Sequence, residues 1–147
     1  VAKFKYRMQN ILDLKEKMES QEKIAYGNAN MRVLEEQEKL QQLLIRRAGY
    51  ERQLKELSQG SIDIHKIKRC KESIDAMKSM IRDQMLELRK AEQALEAARA
   101  RLDAVIKDRK THENLKEKAF EVFKQELNAE ESKAVDELVS FTYGNKE

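Results

Sequence analysis

The chain has 147 residues, of which 39% are charged and 40% hydrophobic, with 30 Lys and Arg against 27 Asp and Glu for a net charge of +3. It carries no Pro, no Trp, four Gly and only 5% aromatic residues. That balance is too polar to wrap a compact core, too hydrophobic for a disordered tail, and too poor in turn formers for a sheet or barrel.

The composition therefore predicts an all-α protein, a long antiparallel two-helix coiled-coil hairpin forming a single domain over residues 1–147. In the first helix, expected over about 4–57, apolar and charged residues interleave at helical spacing. Leu40, Leu43, Arg47, Tyr50, Leu54 and Leu57 alternate in steps of three and four. Farther back, Phe4, Met8, Ile11, Leu14, Met18 and Ala25 do the same in a different phase. Joining the two phases requires a register slip between Ala25 and Val33, read as a stutter that changes the local supercoil.

A turn is expected at 58–63, Ser-Gln-Gly-Ser-Ile-Asp. Gly60 can adopt the left-handed backbone that ends a helix, and Ser61 or Asp63 can accept hydrogen bonds from the amides that open the next one. The second helix, expected over about 64–141, has the clearer seam. Ile67, Cys70, Ile74, Met77, Ile81, Gln84, Leu88, Ala91, Leu95, Ala98, Leu102 and Val105 keep the seven-residue repeat of a left-handed coiled coil. Folding at Gly60 would bring Leu57 near Ile64, Tyr50 near Ile74 and Met8 near Leu115.

The second helix outruns the first beyond about residue 118, which predicts an overhang with Phe120, Val122, Phe123 and Leu127 uncovered. Asn128 and Glu131 resemble a capping box, so a kink is expected near 128, followed by a fresh apolar stripe of Val135, Leu138, Val139 and Phe141. From 126 onward Lys133 and Lys146 oppose six carboxylates, a net of −4. The remainder of the chain is basic.

The chemistry of a catalytic site is missing from this pattern, and no catalytic, cofactor-binding or metal-binding residue is expected. Gly27, Gly49, Gly60 and Gly144 are too far apart for a phosphate-cradling loop. Asp63, His65 and Cys70 match no tight-ligand spacing, and Cys70 falls on the seam, where a free cysteine reads as core. His112, also at a seam position, reads as structural. Paired carboxylates such as Glu130-Glu131 do acid and base work only in a desolvating pocket, which a thin hairpin lacks. The densest basic run, Lys66-Ile67-Lys68-Arg69-Cys70-Lys71, has no interleaved aromatics, so no nucleic-acid partner is expected. Apolar runs reach three residues, as in Leu43-Leu44-Ile45, which excludes membrane insertion as a span and points to the cytoplasm.

Three stretches carry a resemblance to a known family. They are Phe4-Lys5-Tyr6 through Ile11-Leu12-Asp13-Leu14-Lys15-Glu16-Lys17, Tyr50-Glu51-Arg52-Gln53-Leu54, and Asp108-Arg109-Lys110-Thr111 through Glu113-Asn114-Leu115-Lys116-Glu117-Lys118. The trailing Glu131-Ser132-Lys133 and Val135-Asp136-Glu137 are similar too. Together these resemble the flagellar type III export protein FliJ family. The block from Asp108 to Lys118 is the most telling, because it sets polar residues where a generic coiled coil would have Leu.

The resemblance implies a non-enzymatic central stalk similar to the gamma subunit of rotary ATP synthases. It implies association with the hexameric flagellar export ATPase, with an export gate membrane protein and with export chaperones. It also implies a location at the export apparatus on the inner face of the cell membrane, and a part in motility and chemotaxis. Carried onto this chain, Phe4, Met8, Arg109, Leu115, Lys116, Phe120, Phe123, Leu138 and Phe141 are the candidate ATPase contacts. Tyr50, Met77 and Met80 are the candidate gate contacts, with Met supplying an adaptable surface. The alternatives are an export chaperone or escort, the injectisome counterpart of the stalk, and a generic self-dimerising coiled-coil scaffold.

Overall fold

A computed structural model describes residues 2–144 and gives an all-α hairpin of two long helices packed against each other. The first, α1, spans Gln9–Leu57 (49 residues), and the second, α2, spans Ile64–Gly144 (81 residues). Val1, Asn145, Lys146 and Glu147 lie outside the described residues, and with them the outermost charges of the expected acidic end.

Helix α1 opens at Gln9, five residues later than the spacing predicts. Two causes converge. Lys3, Lys5 and Arg7 would put cations in the first turn, where the helix dipole disfavours them. Phe4 is also held by its ring against two aromatic rings of α2. The chain instead makes a turn in which the Gln9 amide donates to the Tyr6 carbonyl at 3.1 Å.

At its other end α1 closes with the Ser58 amide and hydroxyl both donating to the Leu54 carbonyl, at 3.1 and 2.8 Å. Gly60 takes φ = 76°, the left-handed conformation that costs glycine nothing and other residues about 1–2 kcal/mol. Of the two candidate caps it is Asp63 that opens α2. Its Oδ1 accepts from the amides of His65 and Lys66 at 3.1 and 3.3 Å, and its carbonyl accepts from Ile67 at 3.1 Å. The carboxylate also complements the positive end of the helix dipole. Beyond that cap α2 stays helical without interruption through Asn128 and on to Gly144.

The described residues form two compact units, Glu22–Leu102 and Val1–Gln21 with Asp103–Glu147. In the unit Glu22–Leu102 the core is Val33 from α1 against Cys70, Ile74, Met77, Ile81, Ala91 and Ala98 from α2. Each large member contributes about 1.5–3 kcal/mol by leaving water. Tyr50 lies opposite Cys70, whose Sγ donates to the Tyr50 carbonyl at 3.1 Å. The helices thus meet about one turn away from the Tyr50–Ile74 pairing that a fold at Gly60 suggests.

The expected register slip in α1 is corrected by the burial pattern. Covered and half-covered positions include Leu12, Lys15, Glu19, Glu22, Tyr26, Ala29, Val33, Glu36, Leu40 and Leu43, in unbroken steps of three and four. Met8, Leu14 and Met18, the residues that suggested a second phase, are exposed. The seam keeps its heptads while its occupants turn polar.

Capping and backbone strain at the turn are separable in urea unfolding followed by helical circular dichroism. Asp63→Ala should lower stability by about 1 kcal/mol and Gly60→Ala by a similar amount, about 1–2 kcal/mol, whereas Ser61→Ala should leave it unchanged.

Candidate docking surface

All nine candidate ATPase contacts fall in the unit Val1–Gln21 with Asp103–Glu147. Phe4, in the segment before α1, places its ring 5.2 Å from Phe120 edge-on and 5.4 Å from Phe123. Phe120 and Phe123 stack at 6.5 Å, and the Lys124 ammonium lies 5.4 Å above the Phe120 ring. Such aromatic pairs add about 0.5–1.5 kcal/mol each beyond the area they bury. Phe120 and Val122 are exposed as the overhang predicts, at 40% and 52%, whereas Phe123 and Leu127 are half-buried, Phe123 because the segment before α1 reaches back to it through Phe4. Lys116 and Glu113 border a groove of about 620 Å³ that Phe4, Leu12 and Phe120 also line.

Toward the start of α1 the seam becomes ionic. The Arg109 guanidinium pairs with Glu19 of α1 and, through Nη1, with Glu113 at 2.7 Å. The Glu113 hydrogen bond raises the Arg109 pKa above its ordinary value, with Glu19 adding to the effect. Lys15 Nζ lies 2.8 Å from Asp108 Oδ2 and holds the Asp108 carboxyl below the usual range. His112 Nε2 lies 3.6 Å from the other Asp108 oxygen. Arg109, His112 and Lys116 therefore occupy half-buried seam positions, as the Asp108–Lys118 block predicts.

The remaining members of the set face water. Met8 and Leu115 are exposed, and Leu138 and Phe141 are 66% and 67% exposed. Leu138 and Phe141 belong with Val135, Val139 and Tyr143 to a bare apolar stripe flanked by the exposed carboxylates Glu130, Glu131, Asp136 and Glu137.

The three candidate gate residues lie in the unit Glu22–Leu102, and they divide. Met80 is exposed and Tyr50 half-buried, but Met77 is 5% exposed and packs in the core. Met77 is thus a seam residue with no surface to offer, as its place between Ile74 and Ile81 in the repeat requires.

Spacing alone missed Glu36, which is 2% exposed. Gln84 Nε2 donates to the Glu36 carbonyl at 3.0 Å and to its carboxylate, while Arg32 and Lys39 approach at 3.0 and 3.3 Å. The Gln84 hydrogen bond, aided by Lys39 and Arg32, lowers the Glu36 pKa against the opposing effect of burial. Counting back four from Leu40 in the heptad lands on Glu36, which is the signal that finds it.

The family described as Flagellar FliJ protein matches residues 4–147. The chain belongs to the FliJ family. That membership makes it a component of the flagellar export apparatus, in flagellum biogenesis and protein export. Neither a curated protein nor a solved structure matches it significantly. Among the described residues no helix is long and apolar enough to cross a membrane. The polar seam block and the aromatic residues around it are thus features of a FliJ-family chain.

Two outcomes follow. The folded state holds Glu36 and Asp108 below their ordinary pKa values, so their contribution is complete above the usual carboxylate range of about 4 and is lost as pH falls through the lowered values. The melting temperature should be flat from about pH 7 to 5 and drop below about pH 4, with a shallower drop in Glu36→Gln with Asp108→Asn. For the ion pairs of the half-buried Arg109, Arg109→Leu removes the contacts to both Glu19 and Glu113 and should lower the melting temperature more than Glu113→Gln, which leaves the guanidinium its contact with Glu19.

Proposed function

We propose that this chain is a non-enzymatic central-stalk and coupling component, which binds the hexameric flagellar export ATPase and links it to the export gate. On this reading it acts as one domain at the inner face of the cell membrane and meets export chaperones there. The observation that carries the reading is the bare stripe of Leu138, Val139 and Phe141 on α2, where α1 offers no cover. A contiguous apolar stripe of that kind marks an interaction surface.

The physics of coupling follows from symmetry. A helix pair has no six-fold axis, so a ring that closes around it meets a different face at each subunit. The subunits then bind it unequally, and their ATP cycles become linked through the contact each one makes. Met8, Leu115, Leu138 and Phe141 supply apolar contact area, Phe4, Phe120 and Phe123 a stiff aromatic end, and Arg109 and Lys116 the charge beside it. Met80, with the rim of Tyr50, is the gate-facing surface, and Met77 supports it from beneath.

Two measurements test this. Turnover of the purified export ATPase should change severalfold on adding the chain and should not respond to a chain ending at Lys118. In a pull-down with the same ATPase, Leu138→Asp with Phe141→Asp should lose at least about tenfold in binding while keeping its helicity, and Leu44→Asp in the other unit should bind normally. A chain that instead purifies with export substrates and leaves turnover untouched is an escort.

A further inference from the structure

The turn end of the unit Glu22–Leu102 combines two features that neither the seam nor the ATPase contact uses. Ile62 and Ile64 flank the capping Asp63 and are 63% and 75% exposed. They sit on the turn that joins the two helices, at the end of the hairpin. Behind them, within two helical turns, α1 and α2 enclose a shallow cleft of about 400 Å³ whose walls include Lys66, Arg69, Ser73, Tyr50 and Gln53.

Cations outnumber carboxylates at this end, where Glu56 and Glu72 are exposed among them. At 3.6 residues per turn Lys66, Lys68, Arg69 and Lys71 point to different sides of α2, and Lys55 closes α1. All five are exposed and none makes an ion pair among the described residues. The one carboxylate between the isoleucines, Asp63, accepts from the opening amides of α2.

We infer that this turn is a tip for an anionic lipid surface: Ile62 and Ile64 enter the headgroup boundary while Lys66 and Arg69 take a lipid phosphate into the cleft. Each part fits that occupant. Bare branched hydrocarbon on a turn needs a deformable apolar phase, not a preformed pocket, and an excess of cations matches a plane of negative charge approached end-on. A nucleic-acid duplex would use the cations and leave the isoleucines in water. Few residues take part, so the association is weak and reversible, and it adds proximity to a membrane without a spanning segment. The ATPase contact lies in the other unit, so either proposal can fail without the other.

Vesicle flotation of the full chain tests it. The chain should float with phosphatidylcholine vesicles holding about 30 mol% phosphatidylglycerol, and about tenfold less with pure phosphatidylcholine or at about 0.5 M salt. Ile62→Ser with Ile64→Ser, which changes no charge, should reduce flotation by about tenfold, as should Lys66→Gln with Arg69→Gln by removing two cations. Met85→Ser, elsewhere on α2, should float like the parent, and circular dichroism should find all of them equally helical. No flotation, equal flotation with neutral vesicles, or indifference to the isoleucine pair overturns the proposal. Retention on duplex DNA that depends on Lys66 and Arg69 but not on the isoleucines would reassign the cations to nucleic-acid phosphates and overturn it as well.

Discussion

Two helices that pack only on each other share a single line of contact, and every other side chain stays in water or waits for a partner. The heptad spacing that keeps α1 and α2 in register along that line is the constraint from which the remaining features follow. It explains why so few residues are buried, why alanine suffices at Ala91 and Ala98, and why large apolar side chains such as Leu138 and Phe141 remain bare.

The occupants of the seam differ between the two units. In Glu22–Leu102 they are mostly hydrocarbon, with Glu36 and Gln84 as a hydrogen-bonded polar insertion and Glu22 and Arg47 half-buried on the same line. In the other unit the line is held by Lys15 with Asp108 and by Glu19 with Arg109. An ionic seam of this kind gains less from burial than leucine would, because each charge gives up hydration before it meets its partner. What it gains is selectivity: a slip by one heptad takes Lys15 from Asp108 to Arg101 or Leu115, so the helices lose that pair in either direction. The aromatic cluster of Phe4, Phe120 and Phe123 then supplies apolar cohesion in the same unit.

Much of this was legible in the residues. The seam of α2 from Ile67 to Val105 is covered along its whole length, and the turn with its glycine and its Asp63 cap stands where punctuation in the sequence places it. The early half of α1 hides its seam, because Met8, Leu14 and Met18 keep an apolar period of their own while the buried line runs through Lys15, Glu19 and Glu22, polar residues that apolar periodicity passes over. The packing of Phe4 on Phe120 and Phe123 is hidden for another reason: it closes across more than a hundred residues of sequence, and nothing local announces it. Among the candidate contacts, Met77 shows the limit of composition, since methionine suits an adaptable surface and a packed core equally well.

Cys70, the single thiol of the chain, is buried in the seam with its hydrogen directed at the Tyr50 carbonyl. The residue is only 5% exposed, yet it borders the shallow cleft that Tyr50, Lys66 and Arg69 also line. Whatever fills that cleft shields the thiol, so the pace of its alkylation becomes a gauge of occupancy.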